Sequence, residues 1–139
     1  MFLTQFPYWV AGFACGILLF LIAFFIENDY SFYTKRTTTY NVDTKSNLHY
    51  LYLACKAYWA DTNPTNACNT TIASLTTYGY IQSRDVIIWG DSGNATNFSA
   101  KGKHPMSEKV FKLEHKGSIR ALKENELESA LNELTNLKR

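Results

Sequence analysis

Asn47 to Tyr80, NLHYLYLACKAYWADTNPTNACNTTIASLTTYGY, decides how this chain folds. Leu48, Leu51, Tyr52, Cys55, Tyr58 and Trp59 recur at steps of three and four, which lays them along one side of a helix running to about Ala60. Asp43 or Thr44 offers that helix an N-cap. Asn63-Pro64 then breaks it, Thr71 to Tyr78 reads as a second short helix, and Gly79 is placed as its left-handed stop. An apolar helix face needs a partner, and the residues that follow supply one.

After Tyr80 the pattern changes to period two. Val86 to Trp89 reads as one strand, closed by Gly90-Asp91-Ser92-Gly93; Thr96 to Lys101 reads as a second and Lys109 to His115 as a third. Gly93-Asn94 and Lys103-His104-Pro105 carry turn chemistry between them. The expected architecture is α+β, a helix packed on a small antiparallel sheet.

Upstream, Tyr8 to Ile26, YWVAGFACGILLFLIAFFI, holds 19 residues without a charge, close to the roughly 20 that carry a helix across about 30 Å of hydrocarbon. The reading is a single N-terminal transmembrane helix within residues 1–30, flanked by Tyr8 and Trp9 on one side and Tyr30 and Tyr33 on the other. A cleaved signal peptide would carry a basic n-region and a small-residue cleavage site, and this run has neither. Gly12 and Gly16, four apart, allow close approach of a second membrane helix. Residues 31–43, mixing aromatics with Ser and Thr and without helical periodicity, read as an extended or interfacial neck.

Orientation divides the signals. Lys35 and Arg36 follow the span and nothing basic precedes it, which by charge count puts the C-terminal region in the cytoplasm. Cys55 and Cys68 flank a turn; paired, they would close a loop of about 14 residues, worth about 3 kcal/mol in the chain-entropy account, and such a bond persists only in an oxidising compartment. Unpaired, they are two buried thiols. Cys15, inside the apolar run, is a small apolar residue.

Residues 120–139 form a C-terminal amphipathic helix. Leu122, Leu127, Leu131, Leu134 and Leu137 keep helical spacing among Glu124, Glu126, Glu128 and Glu133. Leu127, Leu131 and Leu134 need a surface, which is either the chain's own sheet or a partner protein.

Chemistry is poorly represented. His49, His104 and His115 are scattered, without the spacing of a metal or haem site, and there is no phosphate loop or nucleophile elbow. No catalytic residue, metal or cofactor is expected, and a formal charge of +2 is too slight to imply a nucleic-acid partner. Asn69-Thr70-Thr71, Asn94-Ala95-Thr96 and Asn97-Phe98-Ser99 match the glycosylation sequon, a short match that is idle in most bacterial settings.

Several pieces in order resemble the globular head of bacterial type IV pilins: Leu51 to Asp61, Ile72-Ala73-Ser74-Leu75 before Tyr78-Gly79-Tyr80, Asn97-Phe98-Ser99-Ala100 with Lys103-His104, and Gly117-Ser118-Ile119. The resemblance covers residues 44–119. It implies a helix-on-sheet head on the periplasmic side of a bacterial inner membrane, in agreement with the cysteines. The start of the chain, Met1-Phe2-Leu3-Thr4-Gln5-Phe6-Pro7, differs from the Phe-Thr-Leu-Ile-Glu type of pilin terminus. The expectation is therefore a non-catalytic, single-pass accessory subunit. Its partners would be the lipid bilayer and integral membrane subunits of a larger complex, of electron-transport or photosynthetic type. The alternative is a pilin or minor pilin of an extracellular filament.

Overall fold

A computed structural model describes the backbone of residues 8–137 and the side chains of residues 17–24, 26 and 34–137. The chain forms two compact units, residues 1–36 and residues 37–139. Secondary structure runs in the order α1 (Tyr8–Asp61), α2 (Thr70–Ala73), β1 (Ile87–Ser92), β2 (Ser99–Lys103), β3 (Val110–Leu113), β4 (Ile119–Ala121) and α3 (Glu124–Leu137). The class is α+β.

Helix α1 is 54 residues long, which corrects the expected neck and the expected start at Asp43 or Thr44. Residues 31–43 are helical because nothing stops them: between Gly16 and Asp61 there is neither Gly nor Pro, and a helix already nucleated extends at little cost per residue. Thr and Ser lower helix propensity by only tenths of a kcal/mol, roughly. Thr44, buried mid-helix, donates its hydroxyl to the Tyr40 carbonyl at 2.9 Å, so its polar atom is satisfied within the helix.

In the first unit, Ile17, Leu18, Leu19, Phe20, Leu21, Ile22, Phe24 and Ile26 are all exposed. Among the described residues no helix is long and apolar enough to cross a membrane. Gly12 and Gly16, and most of the proposed span, lie outside the side chains that the structure describes.

In the second unit the four strands form an antiparallel sheet in sequence order. β2 meets β3 with Ala100 opposite Leu113 and Gly102 opposite Phe111. The fourth strand was not foreseen: β4 pairs with β3 through a tight turn in which the Gly117 N–H donates to the Glu114 carbonyl at 2.7 Å. Gly117 makes this turn at φ +80°, and a Cβ there would meet the Tyr52 ring at 2.7 Å. At three residues, β4 is too short to show a period.

The second half of α1 covers one face of the sheet. Leu48, Leu51, Cys55, Trp59, Phe98, Ala100, Phe111 and Leu113 are buried in one cluster. The helix comes close because β2 offers Gly102, where an added Cβ would lie 3.2 Å from both Leu48 and Thr44. Trp59 meets Phe98 edge to face at 5.4 Å and donates its Nε1–H to the Asn66 carbonyl at 3.0 Å. Helix α2 is shorter than expected, four residues capped by Asn69, whose side chain accepts the Ile72 N–H. The chain then turns, and Gly79 takes the left-handed conformation expected of it, φ +67°.

Candidate functional site

Two positions expected from sequence come together at a single place, Cys55 and Cys68, which form a disulfide with Cα atoms 5.7 Å apart. Both residues are fully buried. Cys55 is set by its place on the core face of α1. Cys68 is set by backbone: its N–H donates to the Gly93 carbonyl at 2.8 Å, and the Ala95 N–H donates to the Pro64 carbonyl at 3.0 Å. Gly93, at φ +143°, cannot carry a Cβ, which would lie 2.7 Å from the Phe98 Cα. Asp91 accepts the Thr70 N–H at 2.6 Å and so ties the loop after the disulfide to β1. The bond closes a structural loop within a packed core. Its sulfurs are shielded from reagents in solution.

The other face of the sheet carries α3. Leu127, Leu131 and Leu134, expected to dock either on this sheet or on a partner, pack with Trp89, Val110 and Ala130 of the chain itself. The physical reason lies in the strand period: Val110 points opposite to Phe111 and Leu113, so one strand feeds both faces. Beside this small cluster runs a row of basic residues in register, Lys101 opposite Lys112 and Lys112 opposite Arg120. Helix α3 answers with acids. Glu133 pairs with Lys101. Glu126 takes both terminal nitrogens of Arg120, at 2.7 and 2.9 Å, and Glu114 accepts from its Nε at 3.3 Å. The Arg120 guanidinium, with the Lys123 N–H, holds the Glu126 carboxyl down at about 2, and the bonds that Arg120 donates to Glu126 and Glu114 raise its own ionisation. Glu114 and Glu126 lie within six residues of Arg120, whereas Glu133 lies 32 positions from Lys101, and no local pattern announces that pair.

His49 and His115 are exposed, whereas His104 is buried against Tyr40. Among the described residues no group of three His, Cys, Asp or Glu side chains is placed to hold a metal ion. An open groove of about 330 Å³ lies between α1 and the turn after α2, lined by Tyr50, Leu53, Ala54, Tyr78, Tyr80 and Ile81. The Tyr80 phenol is buried without a hydrogen-bond partner, and burial, with the nearby Asp91 charge, pushes its ionisation well above the ordinary tyrosine value. Compared with known proteins, the chain matches no family model and no curated protein.

Proposed function

We propose that this chain is a non-catalytic, membrane-anchored subunit of pilin type, which works by assembling with other proteins through its apolar helix while its disulfide-closed head faces an oxidising compartment. The observation that carries the reading is α1 itself: one helix, Tyr8 to Asp61, holds both the apolar run and the face that builds the head's core. A polar neck between anchor and head would have spoken for an ordinary tether. The exposed residues Ile17 to Phe24 and Ile26 add support, because so many large apolar side chains in series call for lipid or for other helices. The Cys55–Cys68 bond supports export of the head.

The test separates a filament subunit from an accessory subunit of a larger membrane complex. Cells are sheared, and both the released filaments and the detergent-solubilised membranes are searched for this chain by mass spectrometry, the latter after native electrophoresis. Recovery in filaments is the expected result. Co-migration at fixed stoichiometry with multi-subunit membrane proteins, and absence from filaments, would overturn it in favour of the accessory role.

A further inference from the structure

We propose that Asn94 is an N-glycosylation acceptor, the one of the chain's three sequons that the fold holds open to a transferase. Asn69-Thr70-Thr71, Asn94-Ala95-Thr96 and Asn97-Phe98-Ser99 all satisfy the Asn-x-Ser/Thr rule. They lie together at one end of the second unit, because Cys68 bridges to Gly93 and the Ala95 N–H donates to the Pro64 carbonyl at 3.0 Å. The three are not equivalent there.

A transferase has to hold the asparagine and the hydroxyl two residues on in one active site, so the whole triplet must stand clear of the core. Asn97 is exposed, but Phe98 is only 1% exposed and Ser99 is already the first residue of β2. Drawing that triplet out would pull Phe98 from its contact with Trp59. Asn69 caps α2, and Thr70 beside it gives its N–H to Asp91. Asn94, Ala95 and Thr96 belong to neither helix nor strand; Asn94 and Ala95 are half-buried at the edge of the core and Thr96 is exposed.

The carboxamide of Asn94 is also the one that meets its own sequon hydroxyl. Its Oδ1 accepts the Thr96 hydroxyl at 2.7 Å, the Thr96 N–H at 2.9 Å and the Asn97 N–H at 3.2 Å. In the other two sequons Oδ1 accepts a backbone N–H instead, from Ile72 at Asn69 and from Asn94 at Asn97. Among the described residues Asn94 Nδ2 donates to no group, so a sugar on it costs the turn no hydrogen bond. Transfer joins Nδ2 to the anomeric carbon of a lipid-pyrophosphate-linked oligosaccharide. The bond from that carbon to the pyrophosphate oxygen breaks, lipid pyrophosphate leaves, and the amide loses one proton. The chain carries its own control: Asn63 Oδ1 takes the Thr65 hydroxyl at 2.8 Å and N–H at 2.9 Å, yet Pro64 between them disqualifies that triplet. The inference rests on the export of the head proposed above.

The experiment is peptide mapping by tandem mass spectrometry of the full chain, purified from membranes of its own cells and digested without reduction. One glycan is expected, on the Asn94 peptide, with Asn63, Asn69 and Asn97 bare. Amidase release, which turns the acceptor asparagine into aspartate, marks the position. Asn94→Gln and Thr96→Val should each abolish the mass increment of the intact chain. Where a variant does not accumulate, the map of the native chain decides alone. A bare Asn94 in chains whose Cys55–Cys68 bond is formed overturns the glycan and leaves export standing. A bare Asn94 with both thiols free overturns the two together. Sugar on Asn69, Asn97 or Asn63 in place of Asn94 overturns the assignment.

Discussion

The two faces of the sheet hold their helices by different means. Toward α1, a dozen buried residues among those described and a disulfide make the core, and backbone hydrogen bonds fix turns around it. Toward α3, Trp89, Val110 and Ala130 are the buried residues of the cluster among those described, and half-buried leucines and ion pairs at the rim add to the attachment. Area removed from water, at about 25 cal/mol per Å², favours the first face heavily, whereas partly exposed ion pairs contribute about 0–1 kcal/mol each. One sheet can thus have a permanent face and a face able to open locally.

The largest expected effect breaks the permanent face. Replacing Cys55 and Cys68 together with Ala should lower stability by about 2–5 kcal/mol, read by denaturant unfolding of the full chain in detergent. If the double variant unfolds at the same midpoint as the native chain, the disulfide is incidental to the core. Truncating Leu51, fully buried, to Ala should cost about 2–5 kcal/mol. Leu131→Ala, on the other face, should cost about 1 kcal/mol, since Leu131 is only half-buried. Equal losses for the two leucines would remove the asymmetry between the faces.

A smaller effect sharpens the comparison at a single glycine. Gly93→Ala forces a Cβ onto the Phe98 backbone at a positive φ, and a loss of about 1–3 kcal/mol is expected. Lys101→Met, which removes the pair with Glu133, should change stability by less than about 1 kcal/mol, and that change should shrink in high salt.

The smallest effects are read from pH, and the two faces should answer at opposite ends. Glu126 ionises lower in the folded state than its ordinary 4.5, at about 2, so its contribution is present above 4.5 and lost as pH falls from there toward 2. Glu126→Gln should flatten that limb of the stability profile. Tyr80 ionises higher when folded than its ordinary 10, so stability is complete below pH 10 and declines as pH rises beyond it. Tyr80→Phe should remove the alkaline decline, and it leaves no buried hydroxyl without a partner.

The candidate site was legible where chemistry is local. Cys55 and Cys68 could be paired on paper because a turn separates them by thirteen positions, and Gly79 declared its turn because only glycine is at ease there. The first strand was read as Val86 to Trp89 with Gly90-Asp91-Ser92-Gly93 as its stop, whereas it runs Ile87 to Ser92, because Gly90 to Ser92 carries turn residues yet stays paired with β2 across an irregularity in register. By contrast, β4 has three residues and no period, and it exists because the turn at Gly117 returns the chain along β3. The neck was misread because absent periodicity was taken for absent helix. Residues 31–43 continue a helix already under way, and Tyr40, Asn41 and Thr44 are then held by the turn at His104 to Ser107 and by Gly102.

The sequence by itself determined the segregation of apolar residues, the helix face from Leu48 to Trp59, the cysteine pair and the absence of any recognisable catalytic pattern. These depend on spacing within one segment, and short-range geometry is fixed by the period of the backbone. Only the tertiary structure decided which face each helix covers, that α3 returns to its own sheet, and that His104 meets Tyr40 across 64 positions of chain. Such contacts depend on how strands alternate across a sheet assembled from distant segments, and no local pattern encodes which of two faces a helix will find.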